Sequence, residues 1–405
     1  LRAPHFQLPR LVRPRVPPLW LLVAVTASGT LSMHVFVPAL PAAAASLAVS
    51  AGTIQLAITL YVVGLAVGQL LYGPLSDRLG RRPVLLVGLA VYAAASIVCA
   101  LAPDGTTLLV GRVFQALGGC SGLVLGRAVI RDVAEPRDAA ARLALVNLVT
   151  AVAPALAPFA GGLLSLYYGW RAIFWALSAI GAATLLATVV QLTETRPGSA
   201  GPRGSPLGGY ISLFRSPVFA GFALAGACST TSFYAFTAAS PFIFTQVLHR
   251  PAEEVGPAYI AMFLGISAGG FIANRMVRRV DPTRLLGWAT ILGLVAAAAF
   301  LAEDLTGTLT LPRLVVTLVV FTIGAGIASP LALTGAISVN PNAIGAASGL
   351  YGCLQMGYGA LCTLVVSVWH ARPSLATGIV LVVSMILSRI GMRIAARRRP
   401  ALTRS

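Results

Sequence analysis

The stretch from Gly68 to Val84, GQLLYGPLSDRLGRRPV, limits what the chain can fold into more than any other. An apolar run of membrane-spanning length leads to Gly73 and Pro74, a charged turn carries Asp77, Arg78, Arg81 and Arg82, and a second apolar run opens after Pro83. A soluble hairpin of two such runs would have no face left for water. Both runs therefore read as membrane helices, with the turn at the bilayer surface. In this reading Gly73 and Pro74 end the first helix, and Gly80 supplies a positive-φ turn conformation. One Asp among the arginines suggests an ion pair that pins two helix ends together; a plain topogenic basic loop is the alternative.

The rest of the chain has the same character. Apolar residues make up 57% and charged residues 10% of the 405, far from the roughly 25% charged content of soluble domains. Further apolar runs lie near 19–40, 54–74, 84–102, 107–130, 141–164 and 171–192, then near 218–244, 257–275, 284–302, 312–334, 344–368 and 374–395. Between the two sets of six, TETRPGSAGPRGSPLGGYISLFRSP (193–217) is the longest polar, Gly/Pro-rich interval. The expected organisation is an all-α integral membrane protein of twelve transmembrane helices: a tail at 1–18, a six-helix bundle at 19–192, a linker at 193–217, a second six-helix bundle at 218–395 and a tail at 396–405. The five cysteines fall inside apolar runs without ligand spacing and read as small core residues.

Charge sets the expected orientation. All 29 basic residues are Arg, and with a cytoplasmic amino terminus only Arg112, Arg171, Arg250, Arg313 and Arg372 lie toward the outer side. The remaining 24 lie inside or at helix ends facing inside, so the positive-inside rule puts both termini and the linker in the cytoplasm. The net charge of +18 is thereby explained by topology, and nucleic acid is not an expected partner.

The two halves repeat. Moving the first loop forward places Gly73 on Gly270, Asp77 on Asn274, Arg78 on Arg275, and Arg81 and Arg82 on Arg278 and Arg279, again between the second and third runs of a half. Duplicated bundles about a central site are a common way to build a secondary transporter.

The loop GQLLYGPLSDRLGRRPVLL resembles the signature loop of the major facilitator superfamily. The segments VPALP (Val37 to Pro41), GTIQL (from Gly52), GRVFQALGG (from Gly111), RAVIRD (from Arg127), APALAPFAGG (from Ala153) and GWRAIF (from Gly169) are similar to those of its Bcr/CflA-type drug-proton antiporters. The resemblance implies a major facilitator fold in a bacterial inner membrane. It also implies a monomer among membrane lipids that exports small lipophilic drugs of the phenicol or bicyclomycin kind in exchange for protons. A transporter of one specific metabolite is the alternative on the same fold.

The resemblance also assigns residues. Arg112 matches a cavity-lining position, and the segment with Pro154, Pro158, Gly161 and Gly162 matches the element that opens and closes between bundles; each proline also removes a helix donor. Asp77, Arg78, Gly80, Arg81, Arg131 and Asp132 are candidates for a cytoplasmic latch, with Arg131 or another arginine at the fourth helix end the expected partner of Asp77, although Arg131 and Asp132 could equally be a solvated helix end. Gln115, Asn147 and Gln355 are polar residues in apolar runs that either face the cavity or bond between helices. Phe233, Tyr234, Phe236, Met262 and Phe263 offer aromatic and soft surface for cargo or fill a core.

One departure stands out. Where the family has an acidic residue four positions before the Pro of its PALP segment, this chain has His34, and none of its eleven carboxylates lies near the middle of an apolar run. An imidazole titrates near pH 6.5 when unperturbed and can carry a proton, but it cannot attract a cation; with Arg112 expected near it in the same cavity, neutral, zwitterionic or weakly anionic cargo is expected over permanent cations. No nucleotide loop, metal-ligand set or paired carboxylates point to an enzyme, a cofactor or a metal.

Overall fold

A computed structural model describes residues 17–195, 206–340 and 344–397, with only the backbone given for a few helical residues, Asn147 among them. The expected tails and the middle of the linker thus fall largely outside the described residues.

The first half runs α1 (Leu19–Val35), a 3-10 turn (Val37–Ala39), α2 (Leu40–Ser46), α3 (Ala51–Leu79), α4 (Arg81–Ala100), α5 (Gly105–Val133), α6 (Pro136–Tyr168) and α7 (Trp170–Gln191). Within the expected linker lies a short helix, α8 (Pro206–Phe214). The second half continues with α9 (Pro217–Thr230), α10 (Phe233–Phe242), a π turn (Ile243–Val247), a 3-10 turn (Ala252–Glu254) and α11 (Val255–Met276), then α12 (Pro282–Leu305), α13 (Leu311–Ile337), α14 (Ile344–Val368) and α15 (Pro373–Arg397). Among the described residues 12 segments are long and apolar enough to cross a membrane. Helices are the form such segments must take, because each backbone polar group finds its partner within the segment when lipid offers none.

The helices form two six-helix bundles. In the first, α5 packs on α1, α3 and α4, and α7 on α4 and α6; in the second, α13 packs on α9, α11 and α12, and α15 on α9 and α12. Across the divide α3 lies along α14, and α6 along α11. The second pairing needs glycine. A Cβ on Gly256 of α11 would come within 2.8 Å of the Phe159 backbone of α6; Gly161 serves a different contact, where α6 meets α1, since a Cβ there would collide with the Val35 carbonyl oxygen.

Two sequence expectations need correction. Helix α3 does not stop at Gly73 and Pro74: it continues through Pro74 to Leu79, and Gly80 alone, at φ +102°, separates it from α4. Pro74 removes the donor to the Leu70 carbonyl, one hydrogen bond of the helix, and the helix runs on because a membrane helix tolerates a proline where surrounding groups compensate. The first spanning run is likewise not one helix ending near residue 40. It breaks at Phe36 to Ala39, where Pro38 enters, and resumes to Ser46.

Candidate functional site

The first spanning segment of each half is interrupted: α1 gives way to α2 at Phe36 to Ala39, and α9 to α10 at Thr231 and Ser232. Broken helices in corresponding positions of two repeats are where such folds expose polar groups to a ligand. His34 sits two residues before the first break and Tyr234 two residues after the second.

The structure brings these two together. The His34 side chain is 3% exposed, and its ring meets three aromatic rings of the second bundle edge-on: Tyr234 at 6.3 Å, Tyr259 at 6.4 Å and Phe263 at 5.9 Å between centroids. Phe233 and Phe236 pack behind Tyr259 at 5.9 and 6.0 Å. The Nδ1 atom of His34 lies 2.9 Å from the Thr30 carbonyl oxygen. A carbonyl only accepts, so Nδ1 carries the hydrogen and Nε2 is the nitrogen that can take up a proton. His34 thus stands on the seam between bundles, with aromatic surface opposite.

Arg112 does not share that surface. Fully buried in the first bundle, it donates to Gln115 Oε1 at 2.6 Å and to the backbone carbonyls of Ser32 at 3.1 Å and Ala57 at 3.4 Å. Its guanidinium stacks 4.0 Å from the Tyr61 ring centre, with Phe36 and Phe174 at 5.5 and 5.8 Å. Gln115 passes the chain on to Ser96 Oγ at 2.8 Å, and Ser96 to the Tyr92 carbonyl at 2.7 Å. The expected pairing of His34 and Arg112 in one polar cavity is therefore corrected. Aromatic rings enclose the cation, and its hydrogen bonds tie α5 to α1 and α3.

The other polar candidates divide. Gln355 Nε2 on α14 donates to Thr230 Oγ1 at 2.7 Å, beside the second break, while the Gln355 backbone carbonyl accepts from Thr231 Oγ1 at 2.8 Å. Asn147 lies on α6, its side chain outside those described. Helix α6 runs through Pro154 and Pro158, both buried, and one turn later Gly161 presses on Val35, next to His34. A Cβ on Gly162 would lie 3.6 Å from the Glu253 backbone of the second bundle. The Pro/Gly segment therefore lies between the first break and the other bundle.

At the loop, Arg81 is the cation that Asp77 uses. Arg81 Nη2 lies 2.7 Å from Asp77 Oδ1, and its Nε lies 3.0 Å from Asp132 Oδ2 at the end of α5; it also bonds Ser76 Oγ. The expected Asp77–Arg131 pair is replaced by this bridge, because Gly80 lets α4 begin at once and turns Arg81 back toward both carboxylates. Arg131 itself is exposed. Arg82 reaches the Val189 carbonyl of α7 at 2.9 Å.

Two participants escaped the sequence reading. Glu194, just past α7, accepts from the first backbone N–H groups of α4, Arg81 at 2.9 Å and Arg82 at 3.2 Å, an acid capping a helix start across more than a hundred residues. Its position directly after the sixth apolar run, on the side of the basic loop, was the available signal. The second is Tyr259, fully buried against His34, for which an aromatic residue in an apolar run gave none. Tyr210 of α8 brings the linker to the same end: burial, and after it the Asp77 carboxylate, hold its phenol above the ordinary range.

Comparison with known proteins accords with this architecture. Residues 21–363 match the model of the Major Facilitator Superfamily. The chain is 32% identical over 347 residues to multidrug resistance protein D of Escherichia coli K12, covering 85% of this chain and 87% of that protein. It is 30% identical over 379 residues to the MFS-type transporter YdgK of Bacillus subtilis, covering 92% and 93%. Among solved structures, a bacterial homologue of the human lysosomal transporter Spinster, inward-facing and unoccupied, superposes with a TM-score of 0.76 at 17% identity, over 95% of this chain and 98% of that one. The chain belongs to the Major Facilitator Superfamily, and it is a multi-pass membrane transporter of small molecules rather than an enzyme.

Proposed function

We propose that the protein exports small lipophilic drugs, neutral or zwitterionic and of the phenicol or bicyclomycin kind, across a bacterial inner membrane in exchange for protons. The observation that carries this reading is His34, a titratable group on the seam between bundles and facing Tyr234, Tyr259 and Phe263, in a chain whose carboxylates all lie at helix ends. Aromatic rings favour lipophilic cargo, and the imidazole supplies the exchangeable proton. The multidrug-resistance relative supports a drug as cargo.

In this reading the chain works as a monomer, with the bundles at 19–192 and 218–395 rocking about the two broken helices and the 193–217 linker joining them on the cytoplasmic side. Gly161 and Gly162, following Pro154 and Pro158, close one face of the site; the Arg81 bridge with Asp77 and Asp132 braces the other end. A helix-end carboxylate is a poorer proton carrier, since Asp132 is already bonded by Arg81. Everted vesicles with an imposed proton gradient test the proposal: accumulation of several unrelated neutral drugs, abolished by dissipating the gradient, is expected. Gradient-driven movement of one metabolite and no drug would replace it with a dedicated metabolite transporter.

A further inference from the structure

The second copy of the repeated loop holds a cavity where the first holds an ion pair. About 440 Å³ of space lies at the ends of α11 and α13 and the start of α12, lined among others by Gly270, Asn274, Val277, Thr283, Thr334 and Ser338. Gly270 and Asn274 are the repeat counterparts of Gly73 and Asp77, and Arg278 that of Arg81. In the first copy the carboxylate at this position holds the arginine four residues on, at 2.7 Å. With an amide there instead, no such pair can form.

The surroundings are strongly cationic. Arg275, Arg278, Arg279 and Arg284 are all exposed, whereas Asp281 is the sole carboxylate between 275 and 302 in the sequence. That Asp281 is engaged as the cap of α12, accepting from the backbone N–H of Thr283 at 2.9 Å and of Arg284 at 3.1 Å. The lining itself mixes apolar wall, from Phe222, Ala273 and Leu331, with the short polar side chains of Asn274, Thr283, Thr334 and Ser338. The volume falls in the range of small-molecule sites.

We infer that this cavity is a site for the phosphate headgroup of an anionic phospholipid, with the start of an acyl chain on its apolar wall. The charge calls for an anion, the Thr283 and Thr334 hydroxyls and the Asn274 amide can donate to phosphate or glycerol oxygens, and the position at the end of spanning helices places headgroups within reach. An aqueous anion would use the arginines but not the apolar wall. The inference goes beyond the export reading and does not depend on it.

Native mass spectrometry of the purified full chain, titrated with phosphatidylglycerol or phosphatidylcholine in detergent, tests it without cargo or gradient. Phosphatidylglycerol is expected to bind about tenfold more tightly than phosphatidylcholine, less so as salt rises. Asn274→Asp, which restores a carboxylate four residues before Arg278, should remove most of that preference, as should Arg278→Gln with Arg279→Gln, at unchanged melting temperature. Thr334→Trp should reduce binding of either lipid by filling the space. Equal binding of the two lipids, an unaltered preference in Asn274→Asp, or full competition by inorganic phosphate would each overturn the inference.

Discussion

The rings of His34 and Tyr234 meet edge-on with centroids 6.3 Å apart, one from each bundle and each beside the break in the first spanning segment of its half. Motion of one bundle against the other must part or slide this contact. A proton gained at His34 Nε2 therefore changes the charge at the point where the bundles meet, which is what coupling requires. His34→Gln keeps a polar side chain and removes the titration. In purified protein, cargo-induced proton release should vanish while cargo binding persists; undiminished release would take His34 out of the coupling step.

Arg112 makes a different prediction because it is enclosed. Arg112→Met leaves Gln115 Oε1 and the Ser32 carbonyl without their donor, at about 1–3 kcal/mol for the unpaired acceptors. The variant should melt at a lower temperature and be less abundant, with the cargo KM of the surviving protein little changed. A raised KM at unaltered melting temperature would instead mean that Arg112 touches cargo.

The loop bridge should respond unequally to loss of its two acids. The Asp77 side chain is 53% exposed and that of Asp132 is 15%, so water replaces the first partner of Arg81 more readily than the second. An exposed pair contributes roughly 1 kcal/mol or less and a shielded one more. Asp132→Asn should therefore slow transport more than Asp77→Asn, both remaining folded in the membrane. Initial rates in vesicles, normalised to protein content, check the order; equal and full activity of both variants would rule out a latch.

How much of this was legible in sequence depends on the length scale of the signal. Twelve spans and two bundles follow from apolar run length and need no tertiary information. The break at Pro38 and the continuation through Pro74 look alike in sequence, since a proline in a membrane helix either interrupts or is absorbed according to what neighbouring groups satisfy. His34 stood out because a polar residue within an apolar run is conspicuous, but its partners Tyr259 and Phe263 come from another bundle and carry no local mark. Arg112 was misplaced for a related reason: residue type reveals that a buried cation needs partners, not that they would be two backbone carbonyls and Gln115, all within the first bundle.

Orientation can be measured independently of transport. With both termini cytoplasmic, Thr193 after α7 lies inside and Thr308, in the turn between α12 and α13, lies outside; both are exposed. In a background without the native cysteines, Thr308→Cys should react with a membrane-impermeant maleimide added to intact cells, and Thr193→Cys should react only after permeabilisation. The reverse pattern would invert the topology and with it the direction assigned to the Arg81 bridge.

Cargo charge is the most direct consequence of an imidazole, and not a carboxylate, at position 34. A permanent cation entering the seam would meet Tyr234, Tyr259 and Phe263, whose faces offer some attraction, and an imidazole that is neutral or positive. It would find no countercharge, and a cation at such depth costs about 2.5–3.5 kcal/mol on insertion scales. That corresponds to roughly a hundredfold in affinity. A neutral amide or phenicol-like compound avoids the penalty and keeps the aromatic contact. Competition binding with matched neutral and quaternary ammonium ligands should show this preference, and His34→Asp should narrow it by restoring an anion at the seam. Strong export of quaternary cations by the unaltered protein would contradict it, because no described group in the middle of a span could then account for their binding.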